Sequence, residues 1–173
     1  MKAIGSAAIL SATIGLSLPA AAPAQVYQNG TATATFNVSL TVQANCTIAA
    51  DPLVFPSTGL LSAAVNQETT VRVTCTNTTP YNVGLDAGTA AGSTIANRLL
   101  VGTAPGNTTT SVGYQLYQNA GRTTIWGNTQ GTDTVGGTGT GAAQTLTVYG
   151  RVPPQAAPKP DTYQSTVTAT VYF

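Results

Sequence analysis

From residue 32 to residue 48 the chain alternates without a break. Ala32, Ala34, Phe36, Val38, Leu40, Val42, Ala44, Cys46 and Ile48 fill the even positions, and every odd position from Thr33 to Thr47 is Thr, Asn, Ser or Gln. Period two is the pattern of a β-strand with one apolar face. Extended at about 3.3 Å per residue, the run would reach roughly 56 Å. A compact domain of this size has a radius of gyration near 15 Å, hence a diameter of about 40 Å. A single straight strand would overhang its own domain. Two arrangements resolve the conflict: a bend or bulge that carries the run from one sheet to another, or a first part that joins the sheet of another molecule. Periodicity alone favours the bend.

The rest of the chain reads as short strands. Runs at 69–75, 81–85, 112–117, 144–149 and 165–173 mix Thr, Val and Tyr with apolar positions and are parted by Gly, Pro and Asn clusters. Helical periodicity is nearly absent, so the pattern predicts an all-β sandwich or barrel. The Gly-rich stretch 131–141 is no phosphate cradle, because such a loop must open a helix and this one leads into the strand-like 144–149. It predicts a flexible hairpin loop. Prolines between 152 and 160 predict a stiff connector before the last strand.

The first residues have a different character. Met1 and Lys2 precede an apolar run from Ala3 to Leu18, then Pro19 and the small residues Ala20 to Ala24. This is the layout of an export signal over residues 1–24, cleaved after Ala24 or Ala22, and the run is shorter than the ~20 residues a spanning helix needs. With 173 residues in all, one domain is expected after it.

Charge narrows the function classes. Beyond Lys2 the cations are Arg72, Arg98, Arg122, Arg151 and Lys159, and they balance Asp51, Glu68, Asp86, Asp133 and Asp161. Only 6% of residues are charged, so nucleic acid and anionic membrane have nothing to grip. Cys46 and Cys75, exported to an oxidising compartment, are expected to form one bridge. Its loop of about 29 residues would stabilise the fold by roughly 3.6 kcal/mol in the chain-entropy view. Two free thiols serving a metal would need partners, and the chain has no histidine.

The same absence removes Ser/His/Asp and Cys/His catalysis. Lys159 sits among prolines, and the five acidic residues are dispersed, Asp51 and Asp86 in turn-like settings. No enzyme activity, cofactor, metal site or small-molecule substrate is expected. Trp126 with Tyr114, Tyr117 and Tyr149 would suit a sugar-binding platform. Aromatics at strand spacing more often fill a core, which is the reading expected here.

Several motifs together resemble the spore coat protein U domain. They are the run from Phe36 through Cys46 to Ile48, Leu53-Val54-Phe55, Val71 to Thr76 around Cys75, Pro80 to Gly88, Arg98-Leu99-Leu100, Gly113 to Tyr117, Ile125-Trp126-Gly127, Val148 to Pro153, and Tyr163 to Phe173. They follow in order over essentially the whole chain after the export signal. Two positions depart from the family pattern: Pro56 stands where a Gly is usual, and Asp161-Thr162-Tyr163-Gln164-Ser165 replaces a Gly-x-Tyr-x-Asp motif. Both concern turn geometry.

That family includes the Csu-type pilins of archaic chaperone–usher pili. The resemblance implies an incomplete immunoglobulin-like β-sandwich that lacks its final strand, is held first by a periplasmic chaperone, and is then completed by the N-terminal segment of the next subunit. It therefore favours the second arrangement for the alternating run, with residues 25–40 as a donor strand and 41–173 as the sandwich domain. Ala32, Ala34, Phe36, Val38 and Leu40 become the donor residues. Val167, Ala169, Val171 and Phe173, which share one face of the C-terminal strand, become the edge of the acceptor groove and the strand a chaperone would bind. The partners implied are the chaperone, an outer-membrane usher and other pilin subunits. The location implied is the cell surface, reached through the periplasm, in a fibre serving adhesion or biofilm formation. A spore or cyst coat protein and a carbohydrate-binding tip subunit are the alternatives.

Overall fold

Strands form here where a run of alternating residues finds a neighbour for its backbone. In a computed structural model describing residues 29–173, nine strands do so: β1 Cys46–Ala50, β2 Val65–Cys75, β3 Pro80–Leu85, β4 Arg98–Gly102, β5 Ser111–Tyr117, β6 Val135–Thr138, β7 Ala143–Val152, β8 Tyr163–Gln164 and β9 Ala169–Tyr172. No helix occurs among the described residues. The expected export signal at 1–24 and the start of the expected donor segment at 25–28 lie outside them. The chain divides into two units, Met1–Ser39 and Leu40–Phe173, and every described strand belongs to the second.

The strands make a six-stranded sheet in the order β1-β2-β7-β5-β4-β8 and a three-stranded sheet in the order β6-β3-β9. All pairs are antiparallel. Inward side chains alternate along each strand: Val71, Val73 and Cys75 on β2, Tyr81, Val83 and Leu85 on β3, Val112, Tyr114 and Leu116 on β5, Val148 and Val152 on β7. They form one core between the sheets with Trp126 at its centre, fully withdrawn from solvent. The indole N–H donates to the Val83 carbonyl at 2.8 Å, which satisfies its polar atom.

Three sequence expectations change. The alternating run yields strand only from Cys46 onward, and residues 29–45 are exposed and carry no strand. Alternation makes a segment able to pair, but a ladder needs a second backbone, and β2 offers β1 only the stretch Val71 to Cys75. No bend into another sheet occurs. The 165–173 run is divided between the two sheets, because β8 pairs with β4 and β9 with β3. Residues 165–168 cross between them, and there the Thr166 and Thr168 amides bond to Thr89 Oγ1 and Asp86 Oδ1 instead of a strand. The Gly-rich stretch is not all loop, since its middle is β6, paired with β3.

Cys46 and Cys75 face each other as the first register pair of β1 and β2, and they are joined by a disulfide. Gly150 on β7 lies against Leu53 and Phe55, and a Cβ there would press on the Leu53 methyl at 2.5 Å and the Phe55 ring edge at 3.0 Å. Glycine is what allows the segment after β1 to lie against the sheet.

Candidate functional site

Among the described residues β9 is the outermost strand of the three-stranded sheet and pairs with β3 alone. Near its start the Thr168 carbonyl accepts from the Asp86 amide at 3.1 Å, so even positions point their backbone groups toward β3. By the two-residue alternation of an antiparallel ladder, the amides and carbonyls of Ala169 and Val171 point to the free side. An edge of this kind offers main-chain donors and acceptors to a further strand.

Beside that edge lies an apolar groove of about 1050 Å³ within the Leu40–Phe173 unit. Its floor is the inward face of the six-stranded sheet: Val71, Leu100, Val112, Tyr114, Leu116 and Val148. One rim is the stretch after β1, with Leu53, Phe55 and Leu61, and the other is the C-terminal crossing, with Tyr163, Val167 and Ala169. Burial pushes the Tyr114 phenol above its ordinary value and keeps it protonated. Charge enters only at the ends, from Asp51, Lys159 and Asp161.

Of the expected acceptor residues, Val167 and Ala169 line this groove. Val171 packs on the core beside Val83, its register partner, while Phe173 is 59% exposed beyond the end of β9 and outside the lining. The rim residues Leu53, Phe55 and Tyr163 were missed by sequence reasoning as groove residues. For Leu53 and Phe55 the signal is their spacing of two in the apolar run Leu53-Val54-Phe55, and Tyr163 has none of that kind. Both departures from the family pattern fall on this rim. Pro56 lies along it, and Asp161 ties the 102–107 loop to it, accepting from the Ala104 amide at 3.0 Å and from Asn107 Nδ2 at 2.7 Å.

The expected donor residues form the complementary feature. Ala32, Ala34, Phe36, Val38 and Leu40 are all exposed. Phe36 and Val38 are each 85% exposed and Leu40 88%, an unusual run of large apolar side chains left in water.

Other candidate chemistry is dispersed. Among the described residues no three His, Cys, Asp or Glu side chains gather around a point. Asp51 pairs with Arg72 at 2.8 Å, Glu68 with Arg122 at 3.4 Å, and Asp133 Oδ1 accepts from the Thr129 amide at 2.6 Å. The sugar platform does not form: Trp126 and Tyr114 are buried, and Tyr149 and Tyr117 lie beneath the guanidinium groups of Arg122 and Arg151.

Two sheets around one core, a free edge and an open apolar groove define an immunoglobulin-like β-sandwich with room for one more strand. The fold is similar to that of a chain in the crystal structure of the CsuC-CsuE chaperone-tip adhesion subunit pre-assembly complex from archaic chaperone-usher Csu pili of Acinetobacter baumannii. The TM-score is 0.52 at 21% identity, over 77% of this chain and 40% of that one, so this chain spans less than half of that chain's length. The Spore Coat Protein U domain model matches residues 32–170, and the chain belongs to that family. Lower similarity is found to a chain from a chaperone-tip adhesin complex of CFA/I fimbriae biogenesis (TM-score 0.45, 13% identity, 73% of this chain and 41% of that one). The E. coli Hda pilus minor tip subunit HdaB is lower again (TM-score 0.38, 17% identity, 73% and 79%). No curated protein matches the chain.

Proposed function

We propose that this protein is a pilin, a structural subunit of a surface fibre that polymerises by donor-strand complementation. The observation that carries the reading is the pairing of two incomplete features in one chain: a groove beside the free edge of β9, and exposed apolar residues on alternate positions from Phe36 to Val42. Each is costly alone. Unpaired backbone groups and open apolar surface are both relieved when an extended segment adds to the edge and its alternate side chains fill the groove. Each copy carries one donor and one acceptor, so the contact is head-to-tail and propagates as a filament.

In this reading residues 25–40 are the donor segment and 41–173 the acceptor domain. A periplasmic chaperone holds the groove before assembly, an outer-membrane usher exports the growing fibre, and neighbouring pilin subunits are the final partners. Export through the periplasm to the cell surface follows from the signal layout at 1–24, and adhesion or biofilm formation is the role of the finished fibre. The groove takes a peptide strand and asks for no chemistry at a reacting atom.

The test is deletion of residues 25–38. The truncated subunit is expected to co-purify with its chaperone and to be absent from fibres in negative-stain images. Fibres of normal length from the truncated subunit alone overturn the donor assignment.

A further inference from the structure

The disulfide stands at a position that loop closure alone does not require. Cys46 is the first residue of β1, the residue at which the exposed segment 29–45 becomes sheet. Just before it, Asn45 is fastened to the residue after Cys75: its amide donates to Thr76 Oγ1 at 3.1 Å and its carbonyl accepts from the Thr76 amide at 2.9 Å. The exposed segment therefore enters the domain through a covalent bond and two hydrogen bonds gathered at one point.

β1 is a poor anchor without them. It is five residues long and lies at the edge of its sheet, paired with β2 alone among the described residues. A load arriving at Asn45 would act on the end of that short ladder and open it pair by pair. The disulfide hands the load to Cys75 instead. From Cys75 the chain runs through 76–79 into Pro80, the first residue of β3. The connecting turn is braced by a Thr79 amide to Thr76 carbonyl bond at 3.1 Å and by contact of the two threonine hydroxyls at 2.6 Å. β3 is in turn the strand that pairs with β9, the acceptor edge.

From this connectivity we infer that the Cys46–Cys75 disulfide bears tensile load, routing it from the donor segment through β3 to β9 and around the six-stranded sheet. The inference rests on the fibre assembly proposed above. Tension along a fibre enters each subunit at its donor segment and leaves at the edge that holds the next donor. With the bond closed, that path reaches the β3–β9 ladder through covalent bonds without crossing the β1–β2 ladder.

The test pulls single fibres by atomic force microscopy before and after treatment with a phosphine reductant, using wild type, Ile48→Ala in β1 and Val83→Ala in β3. In oxidised fibres Ile48→Ala is expected to unfold at the wild-type force and Val83→Ala at a lower one. After reduction, the wild-type unfolding force should fall, Ile48→Ala should fall further, and each unfolding event should lengthen by about 100 Å as the 29-residue loop is released. A weakening of oxidised fibres by Ile48→Ala overturns the inference, as does an unfolding force unchanged by reduction. Dispersal of unloaded fibres by the reductant overturns it too, making the bond a folding staple only. All three outcomes leave assembly standing. Failure of the wild type to form fibres removes the assembly reading itself, and the tensile role with it.

Discussion

Arg98 Nη2 donates to the Trp126 carbonyl at 2.7 Å inside the core, where both residues are fully withdrawn from solvent. The same nitrogen reaches the Leu85 carbonyl at 2.9 Å, Nε reaches the Asp86 carbonyl at 2.9 Å, and Nη1 bonds Gln115 Oε1. One guanidinium thus joins the end of β3, the Trp126 segment and β5. Burial lowers its pKa from the usual guanidinium value, and carbonyl dipoles rather than a bonded carboxylate hold the charge. A planar fork with donors fixed in direction suits this arrangement, and an ammonium group does not.

Replacing Arg98 by Met is therefore expected to destabilise the subunit by about 3–5 kcal/mol, because the buried carbonyls at 85, 86 and 126 lose their donors together. Arg98→Lys should recover only part of the loss. Trp126 is the single tryptophan and sits at the affected point, so its fluorescence reports urea unfolding directly. A midpoint within 0.3 M of wild type, about 0.3–0.9 kcal/mol for a small protein, contradicts the prediction.

Phe36 carries the largest side chain among the proposed donor positions, all of them exposed. Burying a phenylalanine contributes about 1.5–3 kcal/mol, so a synthetic peptide spanning residues 29–44 should bind a subunit lacking 25–38 on the order of 10–100 times more tightly than its Phe36→Ala counterpart. Exchanging Asn37 for Ala, on the opposite face, should change affinity less than threefold. Isothermal calorimetry separates these outcomes, and equal losses at 36 and 37 would mean that the segment does not bind by one face.

Much of the sandwich was legible in the sequence because its strands have one face in the core. β2, β3, β5 and β7 contain the runs at 69–75, 81–85, 112–117 and 144–149, with β2 and β7 extending three to four residues past them, and Trp126 and the two cysteines fall where their burial tendency and pairing logic put them. What periodicity does not encode is the identity of a partner. The run from Ala32 to Ala44 reads as strand, yet it is exposed and pairs with no backbone among the described residues. The break at 165–168 depends on Thr89 and Asp86, distant residues whose side chains capture the amides that a continuous strand would use. β6 has no alternating apolar signature, because Gly136 and Gly137 pair with β3 through backbone alone. Arg98 looks like a surface charge between Asn97 and Leu99, and its burial follows only once three distant carbonyls converge.

Acid should weaken the subunit through two carboxylates. The Arg72 hydrogen bonds, with Thr70, hold Asp51 below the usual carboxylate range; the Ala104 amide, then Asn107, hold Asp161 below it. A folded-state pKa below the unfolded value contributes stability that is present above about pH 4 and is lost as pH falls through the folded value. The melting temperature should stay level from pH 7 to 5 and drop below pH 4. Asp161→Asn should melt below wild type at pH 7, with the gap narrowing by pH 3. A gap that is constant across that range would show that the Asp161 charge contributes nothing.

The proposed head-to-tail growth also predicts what a subunit with only one working end must do. Val167 lines the groove and is only half-buried while the groove is open, so Val167→Asp leaves a solvated charge in the free subunit. A strand laid into the groove would strip water from that carboxylate, at a cost of several kcal/mol. Such a copy keeps a working donor segment, joins one end of a fibre and accepts no successor. Mixed with wild type at a fraction f, it should cut the mean length to about 1/f subunits, on the order of one hundred at 1% and ten at 10%. Adding deletion of 25–38 to Val167→Asp should abolish the shortening, because that copy has no end left to join with. Fibre lengths measured by electron microscopy across the mixing series decide the matter, and lengths independent of f would rule out strand donation into this groove.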